Sequence, residues 1–330
     1  MDPKLFIRTD GNSEMGLGHL VRSTALAQMM KDDFEITFFC TSAPESILSD
    51  WTNNNFHWKI ITGEEDFLDR ILSNNIVLLD GYGFDIDYQK KIVSQGAKLV
   101  CIDDLHENEF VADLIINHAP GISPEDYRAQ PHTRFALGFE YLLLRPGFRA
   151  QYQMGRKIEK ISTVFICFGG SDQLRLTDAT LKALKDCSRF KKIIVVTGSA
   201  FDISEEFNAL LREDGRIEHF SDLDESQMIE TMLKCDLAIV PASSILLEVL
   251  AVRLPVITGY YVENQKAASV QIGKLGLAIN CGNLLENYSE NLLQAIKNLT
   301  VRTGNQMIRK QERYVKYSNK LKSIFNSFKE

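Results

Sequence analysis

The sequence is short of positive charge. Its 37 Lys and Arg are outnumbered by 44 Asp and Glu, leaving a net charge of -7. Nonspecific nucleic-acid binding requires a basic surface, so that class of function is excluded. A single nucleotide ligand is not, because a local loop can bind phosphate on an acidic protein. Nowhere is there an apolar run of the ~20 residues that a membrane-spanning helix needs. The opening MDPKLFIRTD carries no signal-peptide pattern and reads directly as a first strand. A cytoplasmic protein with no membrane partner is therefore expected. Cysteine is sparse: Cys40, Cys101, Cys167, Cys187, Cys235 and Cys281 are scattered, mostly in or beside apolar runs, and no two form a CxxC pair. Such spacing fits reduced core thiols rather than disulfides or a zinc site. No pair of histidines has helical or hairpin ligand spacing, so neither a metal nor a cofactor is expected. Low-complexity segments, short repeats, the GxGxxG dinucleotide fingerprint and the GK[ST] of a P-loop are all missing.

What is present is alternation. The 330 residues exceed one ordinary core, so two domains are expected. Strands are read at Leu5–Arg8, Glu35–Cys40, Ile76–Leu79, Lys98–Ile102 and Leu114–Asn117. Helical spacing links Leu20, Ser23, Ala27 and Met30, and Asp87–Gln95 is a second helix. Continuously apolar strands separated by helices imply a parallel sheet covered on both faces. The segment Arg145-Pro146-Gly147-Phe148-Arg149, followed by QYQMGRKIEK, reads as a linker. The pattern then restarts. Strands are expected at Thr163–Phe168, Lys192–Thr197, Ile217–Phe220, Leu237–Val240 and Pro255–Thr258. Helices are expected at Thr177–Lys185, Asp224–Lys234, Ser244–Ala251 and Asn264–Leu275. From Ser289 on, one or two charged helices should follow. The expected architecture is α/β, with two Rossmann-like doubly wound domains, 1–150 and 151–330, and a C-terminal helix packing back. A cleft is expected between them, outside the carboxyl ends of the strands.

That expectation selects residues at strand ends. The stretch Arg8 to Arg22, RTDGNSEMGLGHLVR, joins a strand to a helix and holds Asp10, Gly16, Gly18 and His19. A glycine-rich strand-to-helix turn leaves backbone N–H groups free for an anion, and His19 adds a titratable group. Asp80-Gly81-Tyr82-Gly83 follows the third strand. Asp103-Asp104 could bind a divalent cation, though adjacent carboxylates at a strand end are more often a cap and a hydrogen-bond acceptor. His118 ends a strand and can line the cleft, whereas His57, His106, His132 and His219 sit in polar or ambiguous contexts. In the second half, Gly169-Gly170-Ser171-Asp172 permits close backbone approach to a phosphate, but a plain tight turn has the same sequence. Ser243 or Ser244 can cap a helix and leave its N-terminus open to a diphosphate. Glu248, one turn on in an apolar helix, needs donors if buried, and ribose hydroxyls would supply them. At the solvent edge it would need none.

Taken in order, several segments resemble the GT-B nucleotide-sugar enzymes, and within them the UDP-sugar hydrolases of pseudaminic acid biosynthesis. They are Ile7-Arg8-Thr9-Asp10, Gly16-Leu17-Gly18-His19-Leu20-Val21-Arg22, Ile102-Asp103-Asp104, Ala112 to Asn117 and Leu142 to Phe148. Phe168 to Asp172, Cys235 to Ile239, Ser244 to Glu248 and Glu263-Asn264-Gln265 complete the set. The resemblance implies hydrolysis of UDP-2,4-diacetamido-2,4,6-trideoxy-β-L-altropyranose by inverting attack of water at the anomeric carbon, with release of UDP and no metal. His19 matches the general base and Tyr82 a tyrosine near the sugar. Glu248 matches the ribose-binding acid, and Asn264 and Gln265 match residues near diphosphate and sugar. An unperturbed imidazole, titrating near ~6.5, suits proton abstraction from water at neutral pH. On this reading Gly169 and Gly170 with the Ser243-Ser244 helix start hold phosphate, and the His19 loop faces the sugar and water. Asp10 and Asp80 are the available partners to orient His19. Arg22 can contact phosphate or pair with an acid.

Two positions depart from the pattern. Ser243 stands where the family has Gly, and Ile245 where it has Thr, with Pro241 ahead of them. Three other readings compete. A GT-B glycosyltransferase would need an acceptor surface, for which the first half shows no apolar, basic patch. A hydrolysing UDP-sugar 2-epimerase would need an acid/base pair at C2 that cannot be placed here. A nucleotide-sugar-binding protein without catalysis would not require the Gly-His loop and Glu248.

Overall fold

The computed structural model describes residues 4–12, 16–316 and 318–329. Residues 13–15 of the His19 loop lie outside these. The chain divides into two compact units, Met1–Pro146 with Tyr317–Glu330, and Gly147–Lys316.

The first unit is built on β1 (Lys4–Thr9), β2 (Glu35–Cys40), β3 (His57–Ile60), β4 (Ile76–Asp80) and β5 (Lys98–Ile102). After a short β6 (Glu109–Phe110) come β7 (Leu114–Asn117), a short β8 (Arg128–Ala129) and β9 (Arg134–Leu137). Seven of these form one sheet in the order β3-β2-β1-β4-β5-β7-β9, with parallel pairing throughout, while β6 and β8 pair separately. Side chains alternate between faces along each strand. Leu5, Ile7, Ile76, Leu78, Val100 and Ile102 enter one core, and Phe6, Val77, Leu79, Leu99 and Cys101 the other. Helices α1 (Gly18–Met30) and α2 (Glu45–Asn53) contribute Leu20, Leu26 and Trp51 to the first of these cores; α3 (Glu64–Leu68) and α4 (Ile86–Ser94) contribute Phe67, Leu68 and Ile92 to the second. Trp51 stacks on Phe38 with ring centroids 4.0 Å apart and donates its indole N–H to Thr24.

In the second unit the strands are β10 (Thr163–Ile166), β11 (Lys192–Thr197), β12 (Ile217–Ser221), β13 (Leu237–Ile239), β14 (Val256–Tyr260) and β15 (Ile279–Asn283). They too form a parallel sheet, ordered β12-β11-β10-β13-β14-β15. Its helices are α5 (Pro146–Gln151, from the unit boundary), α6 (Leu176–Leu184), α7 (Glu205–Glu213), α8 (Glu225–Leu233) and α9 (Ser244–Ala251), then α10 (Glu263–Leu275), α11 (Tyr288–Asn298) and α12 (Val301–Tyr314). Both sheets have the doubly wound strand order, in which the connections reverse direction beside the first strand. In the first unit that switch point lies between β1 and β4, and in the second between β10 and β13.

Several elements escaped the sequence reading. Strand β3 is an edge strand whose residues are mostly exposed, so no apolar run marks it. Helix α2 buries only Trp51. The sequence reading also lacks strands β9 and β15 and helices α3 and α7, and from Ser289 on the described residues form three helices rather than one or two. The segment read as a linker begins with a helix, α5, whose Gly147 and Phe148 N–H groups donate to the Glu225 carboxylate, and Phe148 is fully buried. The assignment of 151–330 to one domain requires a correction at its end. A last helix, α13 (Lys320–Asn326), places Leu321 and Phe325 in the core of the first unit, where Lys322 pairs with Asp33 at 2.6 Å. The tail's Lys and Arg content had masked these two apolar positions one turn apart. The six cysteines are free thiols, five of them buried. Among the described residues no helix is long and apolar enough to cross a membrane.

Both tryptophans, Trp51 and Trp58, lie in the first unit, so their fluorescence reports its unfolding. Phe325→Ala is expected to lower the stability of that transition in urea by about 3–5 kcal/mol, the usual cost of emptying a buried aromatic site. An unchanged midpoint would show that α13 adds nothing to this core.

Candidate active site

In the first unit the candidate residues gather at the carboxyl ends of β1, β4, β5 and β7, which are neighbours in the sheet. His19, Arg22 and Ser23 stand three and four residues apart near the start of α1, so they share one face of the helix. All three are buried and all three reach Asp80, the last residue of β4, which has no exposed surface. His19 Nδ1 lies 2.7 Å from Asp80 Oδ1. The Arg22 guanidinium donates to the same carboxylate through Nε at 2.9 Å and Nη2 at 2.5 Å, and the Ser23 hydroxyl donates at 2.8 Å. No side chain caps α1 and no acidic residue stands in its first turn, so Asp80 also supplies negative charge near the helix N-terminus.

The protonation states follow from this geometry. Burial alone would raise the Asp80 carboxyl, but the Arg22 charge and the hydrogen bonds from His19 and Arg22 outweigh it and hold the group at about 2. An ionised carboxylate can only accept, so the proton in the His19 contact sits on Nδ1. In the neutral ring Nε2 then carries the lone pair. Arg22 Nη2 lies 3.0 Å from the same Nδ1. Both atoms are donors, so this is a close approach of a cation and not a second hydrogen bond.

The network continues outward. Arg22 Nη1 donates to Asp104 Oδ2 at 2.9 Å, and the Tyr82 hydroxyl donates to the same oxygen at 3.2 Å. The half-exposed Tyr82 ring meets His19 edge-on, with centroids 4.7 Å apart. Asp103 turns the other way and accepts the His106 N–H at 2.7 Å, closing its own loop. His118, at the end of β7, has a buried Nδ1 with no hydrogen-bond partner among the described residues. Burial, and then the Arg22 charge, push its imidazole down to about 4, so it is neutral at pH 7.

Two expectations need correction. Asp10 does not orient His19: its carboxylate binds Arg8 at 2.7 Å and accepts from the Thr41 N–H and hydroxyl at 2.6 and 2.9 Å. Arg22 is not free for phosphate, because its guanidinium is committed to the buried Asp80 and the partly exposed Asp104. Gly16, with φ of 82°, and Gly18, the first residue of α1, shape the approach to the helix.

The second unit places its candidates after β10, β13 and β14, again adjacent strands. Gly169 has φ of 91°, and a Cβ on Gly198 would sit 2.6 Å from Gly170 Cα, so the two loops touch backbone to backbone. Asp172 accepts the N–H groups of Leu176 and Thr177 at 3.0 and 2.7 Å and so closes the start of α6. That leaves Gly169, Gly170 and Ser171 as the open part of the turn. Ser243 occupies the position before α9 but makes no side-chain cap, and Ser244 is the first helical residue. Capping by Ser243 is therefore not observed. Glu248 is buried in the same helix, not at the solvent edge. Asn264 lies in the first turn of α10, and the buried Gln265 accepts the Tyr261 N–H through Oε1 at 3.3 Å. Among the described residues no group of three or more His, Cys, Asp or Glu is arranged to hold a metal ion.

The sequence reading offered Asp80 only as one of two partners for His19 and passed over Ser23 and the outward role of Asp104. The spacing of His19, Arg22 and Ser23 was the available signal, since three polar residues on one face of a buried helix need hydrogen-bond partners nearby.

Comparison with known proteins shows the same likeness. No family profile matches the chain. It is 24% identical over 287 residues to the UDP-2,4-diacetamido-2,4,6-trideoxy-β-L-altropyranose hydrolase of Campylobacter jejuni, covering 84% of this chain and 98% of that one. It is 26% identical to the spore coat polysaccharide biosynthesis protein SpsG of Bacillus subtilis, covering 84% and 83%. An uncharacterised protein of Methanocaldococcus jannaschii is 28% identical over 80% of this chain, which spans only 57% of that protein's length. Among solved structures, the MurG of Acinetobacter baumannii superposes with a TM-score of 0.69 at 14% identity, covering 99% of both chains. A UDP-glucosyltransferase of Polygonum tinctorium gives 0.62 at 13% identity, covering 95% and 93%. The fold is GT-B.

The neutral state of His118 has a pH signature. Its folded-state pKa, about 4, lies below the ordinary 6.5, so its contribution to stability is complete above pH 6.5 and is lost as the pH falls toward 4. His118→Gln is expected to flatten the fall of Tm over that range. An equally steep fall in the variant would place the acid sensitivity elsewhere.

Proposed function

We propose that this protein is a UDP-sugar hydrolase in which His19 is the general base. The observation that carries the reading is the buried contact of His19 Nδ1 with an ionised Asp80, 2.7 Å away. It turns the imidazole into an oriented base with Nε2 as the accepting nitrogen. The likeness to the C. jejuni hydrolase supports a UDP-linked 2,4-diacetamido-2,4,6-trideoxy sugar as substrate, of the β-L-altropyranose configuration.

In this mechanism Nε2 takes a proton from water while the water oxygen bonds to the anomeric carbon. The bond from that carbon to the β-phosphate oxygen breaks on the opposite face, and its electron pair leaves with UDP. The anomeric centre inverts. Asp80 stabilises the imidazolium, which then returns its proton to solvent. UDP needs no acid to leave once its developing charge is met by donors. The Gly169-Gly170 turn and the uncapped start of α9 are suited to supply them. Glu248 is assigned to the ribose hydroxyls, Asn264 and Gln265 to the diphosphate and sugar, and Tyr82 to the sugar. The scheme calls on no metal.

The test is to incubate the protein with the UDP-diacetamido sugar and no acceptor, following UDP release and anomeric configuration by NMR. Acceptor-independent release with inversion is expected. Release only with an added sugar or lipid acceptor would make the protein a transferase, and UDP binding without turnover a binding protein. His19→Ala should keep UDP affinity and lose at least ~100-fold in turnover, the usual worth of a positioned base. Glu248→Ala should instead weaken UDP binding. Undiminished turnover in the first variant, or unchanged affinity in the second, would remove that residue from its role.

A further inference from the structure

Arg22 poses a difficulty for a base at His19. Its guanidinium contacts Asp80 and its Nη2 approaches His19 Nδ1 to 3.0 Å. Alone, that cation would cancel the Asp80 charge and oppose formation of an imidazolium beside it. The structure assigns the remedy to Asp104: we infer that this carboxylate is a positioning residue that offsets Arg22 and thereby sets the proton affinity of His19. The inference rests on the reading of His19 as the base.

Charges alternate along the network. Imidazole meets the Asp80 carboxylate, that carboxylate meets the Arg22 guanidinium, and the guanidinium meets Asp104 Oδ2 at 2.9 Å. With His19 neutral the network holds one carboxylate more than it has cations, so a single proton balances it. Without Asp104 it is already balanced, and a proton on His19 would leave it with excess positive charge. The other groups around it do not supply that charge. Ser23 and Tyr82 are neutral donors to Asp80 and Asp104 respectively. His118, facing the network from the end of β7, is uncharged at neutral pH. Asp103, adjacent on the loop after β5, is turned away from the network and accepts the His106 N–H.

A second observation separates this role from that of a structural acceptor. Asp104 Oδ1 is buried and has no hydrogen-bond partner among the described residues. Buried carboxylate oxygens in purely structural roles are ordinarily satisfied. Asp104 keeps its charge in place with half of its hydrogen-bonding capacity unused, as a residue acting through its charge would.

The experiment titrates His19 by NMR in the full chain labelled at histidine, with His19→Ala used to assign the signal. Asp104→Asn is expected to lower the His19 midpoint by about one pH unit, as removal of a nearby opposite charge does. Asp104→Glu, which keeps the charge, should hold it close to the unsubstituted protein. The acid limb of kcat/KM for release of UDP should shift with the midpoint in each variant. An unmoved or raised midpoint in Asp104→Asn overturns the inference, as does a fall of equal size in Asp104→Glu. A midpoint that falls in Asp104→Asn but not in Asp104→Glu, in a protein with no hydrolytic turnover, supports the electrostatic role of Asp104 and removes the hydrolase reading instead.

Discussion

The first unit's chemistry depends on keeping one carboxylate ionised where it has no contact with water. Asp80 ends a fully buried strand, and removing a charge from solvent costs several kcal/mol even in a relaxed protein. Arg22, Ser23 and His19 offset that cost from a single helix face. Buried ion pairs of this kind are weak devices for stability, because apolar residues of similar volume usually do as well. What the pair achieves here is geometric and electrostatic. It fixes the His19 ring, chooses its tautomer and places a negative charge beside the nitrogen that must stay protonated.

The sheet makes this arrangement possible. In a doubly wound parallel sheet the strands on either side of the switch point send their connections in opposite directions, which opens a crevice at their carboxyl ends. The α1 helix leaves β1 on one side of that point and Asp80 terminates β4 on the other, with Thr9 and Asp80 in register across the pair. The second unit repeats the pattern with different chemistry. Around its own switch point it has a glycine turn after β10 and an uncapped helix start after β13. One fold thus presents a buried ionic network in the first copy and a glycine turn beside an uncapped helix start in the second.

Much of this was legible in the sequence because central parallel strands are continuously apolar. Runs such as Ile76–Leu79 and Lys98–Ile102 gave strand positions to within a residue or two, and strand ends gave the candidate site. Edge elements were lost for the complementary reason. His57-Trp58-Lys59-Ile60 faces solvent and shows no pattern, and α13 hides two core residues among lysines. Within the site, residue types at strand ends singled out His19 and Tyr82 as candidates, but partner choice was not readable. Asp10 follows β1 directly and Asp80 ends β4, its neighbour in the sheet. Only the three-dimensional register shows that Arg8 and Thr41 claim the first and His19 the second. Similarly, Asp103 and Asp104 are identical neighbours in sequence, yet successive residues point to opposite sides, so one closes a loop while the other meets Arg22.

The central claim is that Asp80 makes Nε2 of His19 the basic nitrogen. Nitrogen-15 chemical shifts of His19, measured in histidine-labelled protein with the ring neutral, test it directly. The account predicts a proton on Nδ1 and a bare Nε2, with the tautomer preference lost in Asp80→Ala. A proton on Nε2 with Nδ1 bare would contradict it.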